Sequence, residues 1–169
     1  MIQLQLRDEQ QTAALGAALA AAMRAGHAAK GLVIYLEGPL GAGKTSFSRG
    51  LLRALGISGQ IRSPTYTLME AYPDAVSGVA GASGVLHLDL YRLADPLELE
   101  QLGLEDHAPP AWFWLVEWPA RGAGGLLPAD LRLELAYAEP GRSAKLQARG
   151  AAGEHFINGL RELVPDHIK

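Results

Sequence analysis

Hydrophobic residues follow two kinds of pattern along this chain, one typical of helices and the other of strands. Between Ala13 and Ala29 the larger apolar residues fall at i, i+4, i+7 and i+8, which is one face of a helix. Leu32–Leu36 is a continuous apolar run of the kind found in buried parallel strands, and Ala111–Glu117 is a second such strand that ends in a carboxylate. Asp130–Tyr137 alternates apolar and polar residues, which predicts a half-exposed strand. The pattern therefore favours an α/β fold.

Weaker signals complete the expected order of elements. A short helix should begin at Asp95, because Asp95 can cap it, Pro96 suits its first turn and Glu98 occupies the capping-box position. Val76–Gly84 is small and glycine-rich, so we expect an exposed hairpin loop there. The remaining predicted elements are a strand at Met1–Leu6, a helix starting at Thr12 or a neighbour, a helix over Thr45–Leu55, strands over Thr65–Tyr72 and Val85–Leu90, a strand over Ser143–Arg149 that returns as a hairpin, and a helix over Glu154–Val164.

Composition narrows the class of protein. The 169 residues are 49% hydrophobic and 20% charged, which is typical of a globular chain, and no repeat or linker divides residues 1–169, so one domain is expected. The absence of cysteine excludes disulfides and thiolate chemistry. A net charge of −3 argues against indiscriminate binding to nucleic acid. No uninterrupted apolar run is long enough for a membrane span, and we expect a cytoplasmic protein without a membrane partner.

A glycine-rich loop between a predicted strand and a predicted helix carries the most specific signal. Residues 38–45 match the Walker A pattern G-x-x-x-x-G-K-[ST]. Such a loop turns its backbone N–H groups toward phosphates, places a lysine on the β- and γ-phosphates and offers a hydroxyl to Mg²⁺. The residues predicted to contact the nucleotide are Gly38, Pro39, Leu40, Gly41, Ala42, Gly43, Lys44, Thr45 and Ser46, with Thr45 also as a Mg²⁺ ligand.

Two carboxylates are candidates for the metal and the attacking water. A Walker A loop needs an acidic group at the end of a neighbouring buried strand, to hold Mg²⁺ directly or through water. Glu117 follows the apolar run Phe113–Val116, and Asp89 follows the more alternating run Val85–Leu88. Position alone leaves both residues open for this role.

Motifs that are absent favour ATP over GTP. Guanine recognition usually needs an Asn-Lys-x-Asp segment, but the only asparagine, Asn158, is followed by glycine, and no Asp-x-x-Gly segment occurs. A small-molecule kinase usually carries an arginine-rich lid, whereas the arginines here are scattered. His87 has no second histidine at metal-ligand spacing, so a structural or hydrogen-bonding role is favoured. Trp118 can either contact the nucleotide or pack.

Several segments together resemble the TsaE (YjeE) family, whose members are small ATPases required for threonylcarbamoyladenosine formation in tRNA. The Walker A loop alone is shared by many families, but its combination with the other segments is far more specific. The matching segments are GPLGAGKT at 38–45 followed by SFSRG, SPTYTL at 63–68, HLDLYRLADP at 87–96 and VEWP at 116–119. The loop at 76–84 and the tail after Gly141 depart from the family pattern.

The resemblance implies roles for individual residues. Lys44 and Thr45 match the family's phosphate and Mg²⁺ contacts, Glu117 its second Mg²⁺-associated carboxylate, and Asp89 the acidic residue that acts on the attacking water. The segment 63–66 matches a switch-like region facing the γ-phosphate, with Thr65 as its polar contact.

Two further nucleotide contacts are suggested by position in the resemblance. Thr12 lies near the segment that the family places beside the adenine, and Arg142 lies in the C-terminal hairpin.

The resemblance also implies a P-loop fold with helices on both sides of a mixed central sheet, ATP and Mg²⁺ as ligands, and TsaB and TsaD as protein partners. ATP hydrolysis would then reset the TsaB–TsaD complex between turnovers, and tRNA would be reached only through that complex. One alternative is a nucleotide-gated binding module for the same complex, in which hydrolysis is incidental. A small-molecule phosphotransferase is a more remote alternative.

Overall fold

Within the described residues, seven strands in one mixed sheet form the centre of the fold. The computed structural model describes residues 1–28, 31–73, 76, 78–108 and 111–168. The strands are β1 (Ile2–Leu6), β2 (Val33–Glu37), β3 (Met69–Pro73), β4 (Gly84–Asp89), β5 (Trp112–Glu117), β6 (Leu131–Tyr137) and β7 (Arg142–Ala148). The α-helices are α1 (Glu9–Ala22), α2 (Lys44–Ala54) and α3 (Gly150–Leu163). Short 3-10 helices cover Pro96–Leu102, Leu104–His107, Pro119–Gly122 and Asp166–Ile168, and a π-helical turn covers Met23–His27.

The strand order in the sheet is β1-β7-β6-β2-β5-β4-β3. The four central strands β6, β2, β5 and β4 run parallel to one another. The outer pairs β3–β4, β6–β7 and β1–β7 are antiparallel. The expected α/β fold with a mixed sheet and an antiparallel C-terminal hairpin is therefore confirmed.

The two faces of the sheet are covered by different kinds of element. Side chains alternate across β2, so that Ile34 and Leu36 join the apolar cluster under α1, α2 and α3, whereas Val33 and Tyr35 join a second cluster. That second cluster is closed by residues of the 3-10 segments, including Leu99. Helical segments thus lie on both sides, but the α-helices are all on one side.

The first and last α-helices begin earlier in the chain than the sequence predicted. α1 starts at Glu9, because the side chain of Asp8 accepts a hydrogen bond from the backbone N–H of Gln11 at 2.8 Å and caps the helix. Thr12 therefore lies inside the first turn. α3 begins at Gly150, with only Arg149 between it and β7, rather than at Glu154. The helix capped by Asp95 was expected correctly, with its capping box to Glu98, although it is a 3-10 helix.

The expected strand over Thr65–Tyr72 is wrong in its first half. Thr65–Thr67 form a turn, Leu68 has a left-handed φ of 62°, and β3 begins only at Met69. The hydroxyl of Thr65 donates to the carboxylate of Asp89, which draws the segment across the end of β4 instead of along its edge.

The loop over Val76–Gly84 was expected to be exposed, which holds for Gly78, Ala80, Gly81 and Ser83 but is wrong for its two valines. Val76 and Val79 are 4% and 7% exposed and belong to the apolar cluster on the helical face. Residue 77 lies outside the described residues. Two valines are enough to anchor an otherwise small segment against the core.

No helix in the described part of the chain is long and apolar enough to cross a membrane.

The close approach of α1 to α2 generates a stability prediction. A methyl group at Gly50 would overlap the backbone of Ala13, and one at Gly16 would overlap the carbonyl oxygen of Phe47. Gly50→Ala should therefore push the helices apart and lower the free energy of unfolding by about 1–3 kcal/mol. Urea unfolding of Gly50→Ala measures this loss, and Ala21→Ser, a change at an exposed position of α1, is the control. Equal stability of the two variants would contradict the tight packing.

Candidate functional site

The loop from Gly38 to Gly43 joins β2 to α2 at the carboxyl edge of the sheet. Gly38, Gly41 and Gly43 have φ values of 139°, 78° and 107°, a region that favours glycine. α2 begins at Lys44, so its first backbone N–H groups lack partners within the helix. The positive end of α2 and the loop amides together form an anion-binding arrangement.

Lys44 is the buried cation of the site. Its side chain is 5% exposed, and Nζ donates to the carbonyl oxygens of Gly38 and Pro39, both at 2.8 Å. The same ammonium lies 4.0 Å from the ring centroid of Trp118. Burial lowers the pKa of Lys44 from its ordinary value of 10.5, while the carboxylates of Glu117 and Asp89 act in the opposite direction.

Asp89 and Glu117 lie side by side, because the parallel register of β4 and β5 pairs them directly. Both are almost fully buried, at 4% and 2% exposure. Two carboxylates and one ammonium thus converge where β4 and β5 end beside the loop. Parallel strands bring these groups to one edge although they are far apart in sequence.

Asp89 ties the 63–65 segment to the site. Its Oδ2 accepts hydrogen bonds from the hydroxyls of Ser63 and of Thr65, the latter at 2.7 Å. Its Oδ1 accepts from the backbone N–H of Tyr91 at 3.1 Å. The structure therefore brings together Thr65 and Asp89, which the sequence had assigned to the same end of the triphosphate.

Glu117 is held by two side chains that the sequence did not assign to it. The His87 ring nitrogen Nε2 lies 2.9 Å from Oε1 of Glu117, and the Ser48 hydroxyl lies 3.0 Å from the same oxygen. That hydroxyl is also 2.9 Å from the carbonyl oxygen of Lys44, and its one proton serves one acceptor at a time. Both contacts use Oε1, and among the described residues Oε2 of Glu117 has no hydrogen-bond partner.

These supporting residues have a pattern that points to them. Ser48 follows Lys44 by four positions, so the two share one face of α2. His87 precedes Asp89 by two positions, so both side chains leave β4 on the same face. The expected hydrogen-bonding role of His87 agrees with its contact to Glu117.

A cleft of about 270 Å³ opens above these groups. Ten of the residues predicted as contacts line it, and they come from the loop, the start of α2, the turn at Thr65, the ends of β4 and β5, or the start of β7. They are Leu40, Gly41, Gly43, Lys44, Thr45, Ser46, Thr65, Asp89, Glu117 and Arg142. Glu9, Tyr91 and Trp118 line it as well. Trp118 both lines the cleft and packs on Tyr91, with ring centroids 5.0 Å apart. The structure is therefore compatible with either expected role, contact with a nucleotide or packing.

Four predicted contacts lie outside the lining of this cleft. Gly38, Pro39 and Ala42 belong to the loop, but they do not line the cleft. Thr12 is fully buried, and its hydroxyl donates to the carbonyl oxygen of Asp8 at 2.9 Å. The proximity of Thr12 to an adenine stays a prediction.

The donor set at this cleft fits magnesium. Thr45 offers a hydroxyl and Glu117 a carboxylate oxygen, and hard oxygen donors are those that Mg²⁺ prefers. The described residues hold no group of three histidine or carboxylate side chains able to ligate a metal. A site with so few protein ligands suits an ion that keeps several waters and binds together with phosphates.

Comparison with known proteins identifies the family. The family model for the threonylcarbamoyl adenosine biosynthesis protein TsaE matches residues 6–145. The chain belongs to the TsaE family. The match includes the loop, both carboxylates and Arg142, so the whole candidate site lies within the part shared with the family. The family takes part in threonylcarbamoyladenosine biosynthesis.

Individual relatives agree with this assignment. The tRNA threonylcarbamoyladenosine biosynthesis protein TsaE of Haemophilus influenzae is 40% identical over 79% of this chain and 81% of its own length. The protein of the same name from Bacillus subtilis is 41% identical over 58% of this chain and 57% of its own length. The crystal structure of YdiB from Bacillus subtilis superposes with a TM-score of 0.67 and 28% identity, over 95% of this chain and 94% of that chain.

The lowered pKa of Lys44 predicts how anion binding depends on pH. The protonated ammonium attracts phosphate, so affinity for ADP should be constant near neutral pH and fall once pH rises through the Lys44 pKa, at a value below 10.5. Calorimetric titrations across this range measure the fall. Lys44→Arg stays charged throughout and should give a flat profile, whatever its absolute affinity. A wild-type affinity that is constant up to 10.5 would contradict the lysine's role.

The hydrogen bond from Ser48 to Glu117 predicts that losing it lowers nucleotide affinity only when Mg²⁺ is present. Ser48→Ala removes one of the two groups that orient the carboxylate, and losing such a support typically weakens metal binding by about tenfold or more. Affinity for ADP should fall in the presence of Mg²⁺ and change little in EDTA. Ser143→Ala, on β7 away from the carboxylates, is the matched control. Equal losses with and without Mg²⁺ would show that Ser48 serves only the packing of α2.

Proposed function

We propose that this protein is a Mg²⁺-dependent P-loop ATPase that serves the threonylcarbamoyladenosine modification of tRNA. The observation that carries the proposal is the convergence of Lys44, Thr65, Asp89 and Glu117 on one cleft at the positive end of α2. These groups supply the parts that phosphoryl transfer to water requires.

The cleft suits a triphosphate on physical grounds. The loop amides and the N-terminus of α2 receive the phosphate oxygens, and Lys44 exchanges its bonds to the loop carbonyls for bonds to the β- and γ-phosphates. The absence of guanine-recognition segments favours ATP as the nucleotide. Hydrolysis requires that water attack the γ-phosphorus in line with the bond to the leaving ADP oxygen.

Metal and water are handled by different carboxylates in this proposal. Thr45 and Glu117 would hold Mg²⁺, whose charge would offset that of the phosphate oxygens. Asp89 orients the attacking water by accepting a hydrogen bond from one of its O–H groups. The hydroxyl of Thr65 donates to Asp89 and so holds this carboxylate in place. Lys44 offsets the charge that develops on the γ-phosphate.

A link to protein partners follows from the 63–66 segment. Ser63 and Thr65 are tied to Asp89, while Tyr66, the next residue, is 83% exposed with the Arg92 guanidinium 4.2 Å from its ring centroid. A change at the γ-phosphate would therefore be transmitted to an exposed aromatic surface. We propose that TsaB and TsaD are the partners that meet this protein in the cytoplasm, and that hydrolysis resets their complex, with tRNA reached only through them.

The same link supports a second candidate, a nucleotide-gated binding module. In that case ATP occupancy alone fixes the 63–66 segment and the partner interface, and hydrolysis is incidental. A small-molecule phosphotransferase has less support and predicts a phosphorylated metabolite in place of inorganic phosphate.

Asp89→Asn separates these functions. The amide keeps the size of the side chain but is a weaker acceptor, so phosphate release should fall by about a hundredfold while ATP binding is retained. Phosphate release is measured with and without the TsaB–TsaD pair, and multiple-turnover tRNA modification is measured in parallel. Asp106→Asn, at an exposed and remote position, is the control.

The outcomes distinguish the candidates. Modification limited to about one round by Asp89→Asn supports the resetting ATPase, and unimpaired multiple turnover supports the gated module. No stimulation of the wild type by TsaB–TsaD, together with no complex detectable in ATP, would refute both forms of partnership.

A further inference from the structure

The turn end of the β6–β7 hairpin contacts the loop Gly38–Gly43, called the phosphate loop below, at two places. Tyr137 and Arg142 face each other as the last paired residues of the two strands. The Tyr137 hydroxyl donates to the carbonyl oxygen of Leu40 at 2.6 Å, and the Arg142 guanidinium donates to that of Ala42 at 3.1 Å. One cross-strand pair thus holds two carbonyl groups that are two residues apart in the loop.

Holding a carbonyl also sets the direction of an amide. A trans peptide group is planar, with its C=O and N–H pointing in opposite directions. The carbonyl of Leu40 shares its peptide plane with the N–H of Gly41, and the carbonyl of Ala42 shares its plane with the N–H of Gly43. The hairpin therefore turns these two N–H groups away from itself, whereas an untethered glycine peptide could flip.

The two glycines are fitted to these donors. A methyl group at Gly41 would lie 2.8 Å from the Tyr137 hydroxyl oxygen, and one at Gly43 would overlap the Arg142 guanidinium. The positive φ favours glycine at both positions, and any larger residue there would also displace the donor that approaches it. The close fit shows that the hairpin and the loop are shaped to each other.

The hairpin end is itself firmly held. β6 pairs with β2, the strand that leads into the loop, and Arg142 is paired with Leu6 of β1. The side-chain amide of Gln5 donates to the carbonyl oxygens of Ala138 and Pro140, at 3.3 and 2.9 Å, and so ties down the turn. The donors are therefore presented from two strands, each of which is paired with a further strand of the sheet, rather than from a free loop.

We propose that Tyr137 and Arg142 form a brace that presets two amides of the phosphate loop for the nucleotide's phosphates. Tyr137 is then a positioning residue, acting on the nucleotide only through the Leu40–Gly41 peptide. The inference rests on the proposed nucleotide-binding function. It assigns to the C-terminal hairpin a part in recognising the phosphates of a nucleoside di- or triphosphate.

Tyr137→Phe tests the brace, because it removes one hydroxyl and leaves an exposed ring in place. Loss of a single hydrogen bond of ordinary strength should weaken ADP and ATP binding by about threefold to tenfold. The loss applies equally to ground and transition states, so KM for ATP should rise while kcat changes little. Tyr72→Phe, on β3 at the opposite edge of the sheet, should leave the affinity unchanged.

A second readout separates positioning from general stability. In ¹⁵N-labelled protein without nucleotide, the amide signals of Gly41 and its loop neighbours should shift or broaden in Tyr137→Phe, with the melting temperature kept close to that of the wild type. If wild-type protein binds ADP and Tyr137→Phe binds it equally well, the brace is overturned and the proposed function stands. If wild-type protein binds neither ADP nor ATP, the proposed function fails and the inference fails with it.

Discussion

The parallel pairing of β4 with β5 is the constraint on which the site depends. It sets Asp89 directly opposite Glu117, and the pairing of β5 with β2 brings the phosphate loop to the same edge. Residues separated by tens of positions along the chain thereby become neighbours without any long side chain having to reach across the fold. A slip of one residue in this register would turn either carboxylate to the opposite face of the sheet, away from Lys44.

Charge balance explains why the buried groups are tolerated together. Lys44, Asp89 and Glu117 are each at most 5% exposed, and an isolated buried charge would be costly. Each is compensated by near neighbours: loop carbonyls around the ammonium, hydroxyls on Asp89, and a histidine and a serine on Glu117. Two carboxylates exceed one ammonium by one negative charge, an excess that favours a cation at this edge of the sheet.

Sequence reasoning worked best where one local pattern decides the structure. Buried apolar runs located β2 and β5, the Asp95 capping box located a helix, and the glycine spacing located the phosphate loop. It failed where distant contacts override local preference, as when Asp89 draws Thr65 out of the expected strand and when Val76 and Val79 sink into the core. A hydrogen-bonding role was expected for His87, but neither His87 nor Ser48 was assigned to Glu117, because these contacts exist only once β4, β5 and α2 are packed together.

The contacts between the hairpin and the phosphate loop join residues that are synthesised far apart in time. Leu40 and Tyr137 are 97 residues apart, and Ala42 and Arg142 are 100 apart. β1 likewise pairs, within the part of the chain that the structure describes, with β7 alone, and the two strands are far apart in sequence. Such non-local pairings form late, since loop closure is unfavourable until the contacts that reward it exist. A ribosome-bound fragment ending before β7 would carry every motif of the phosphate loop, yet its edge of the sheet would still be open.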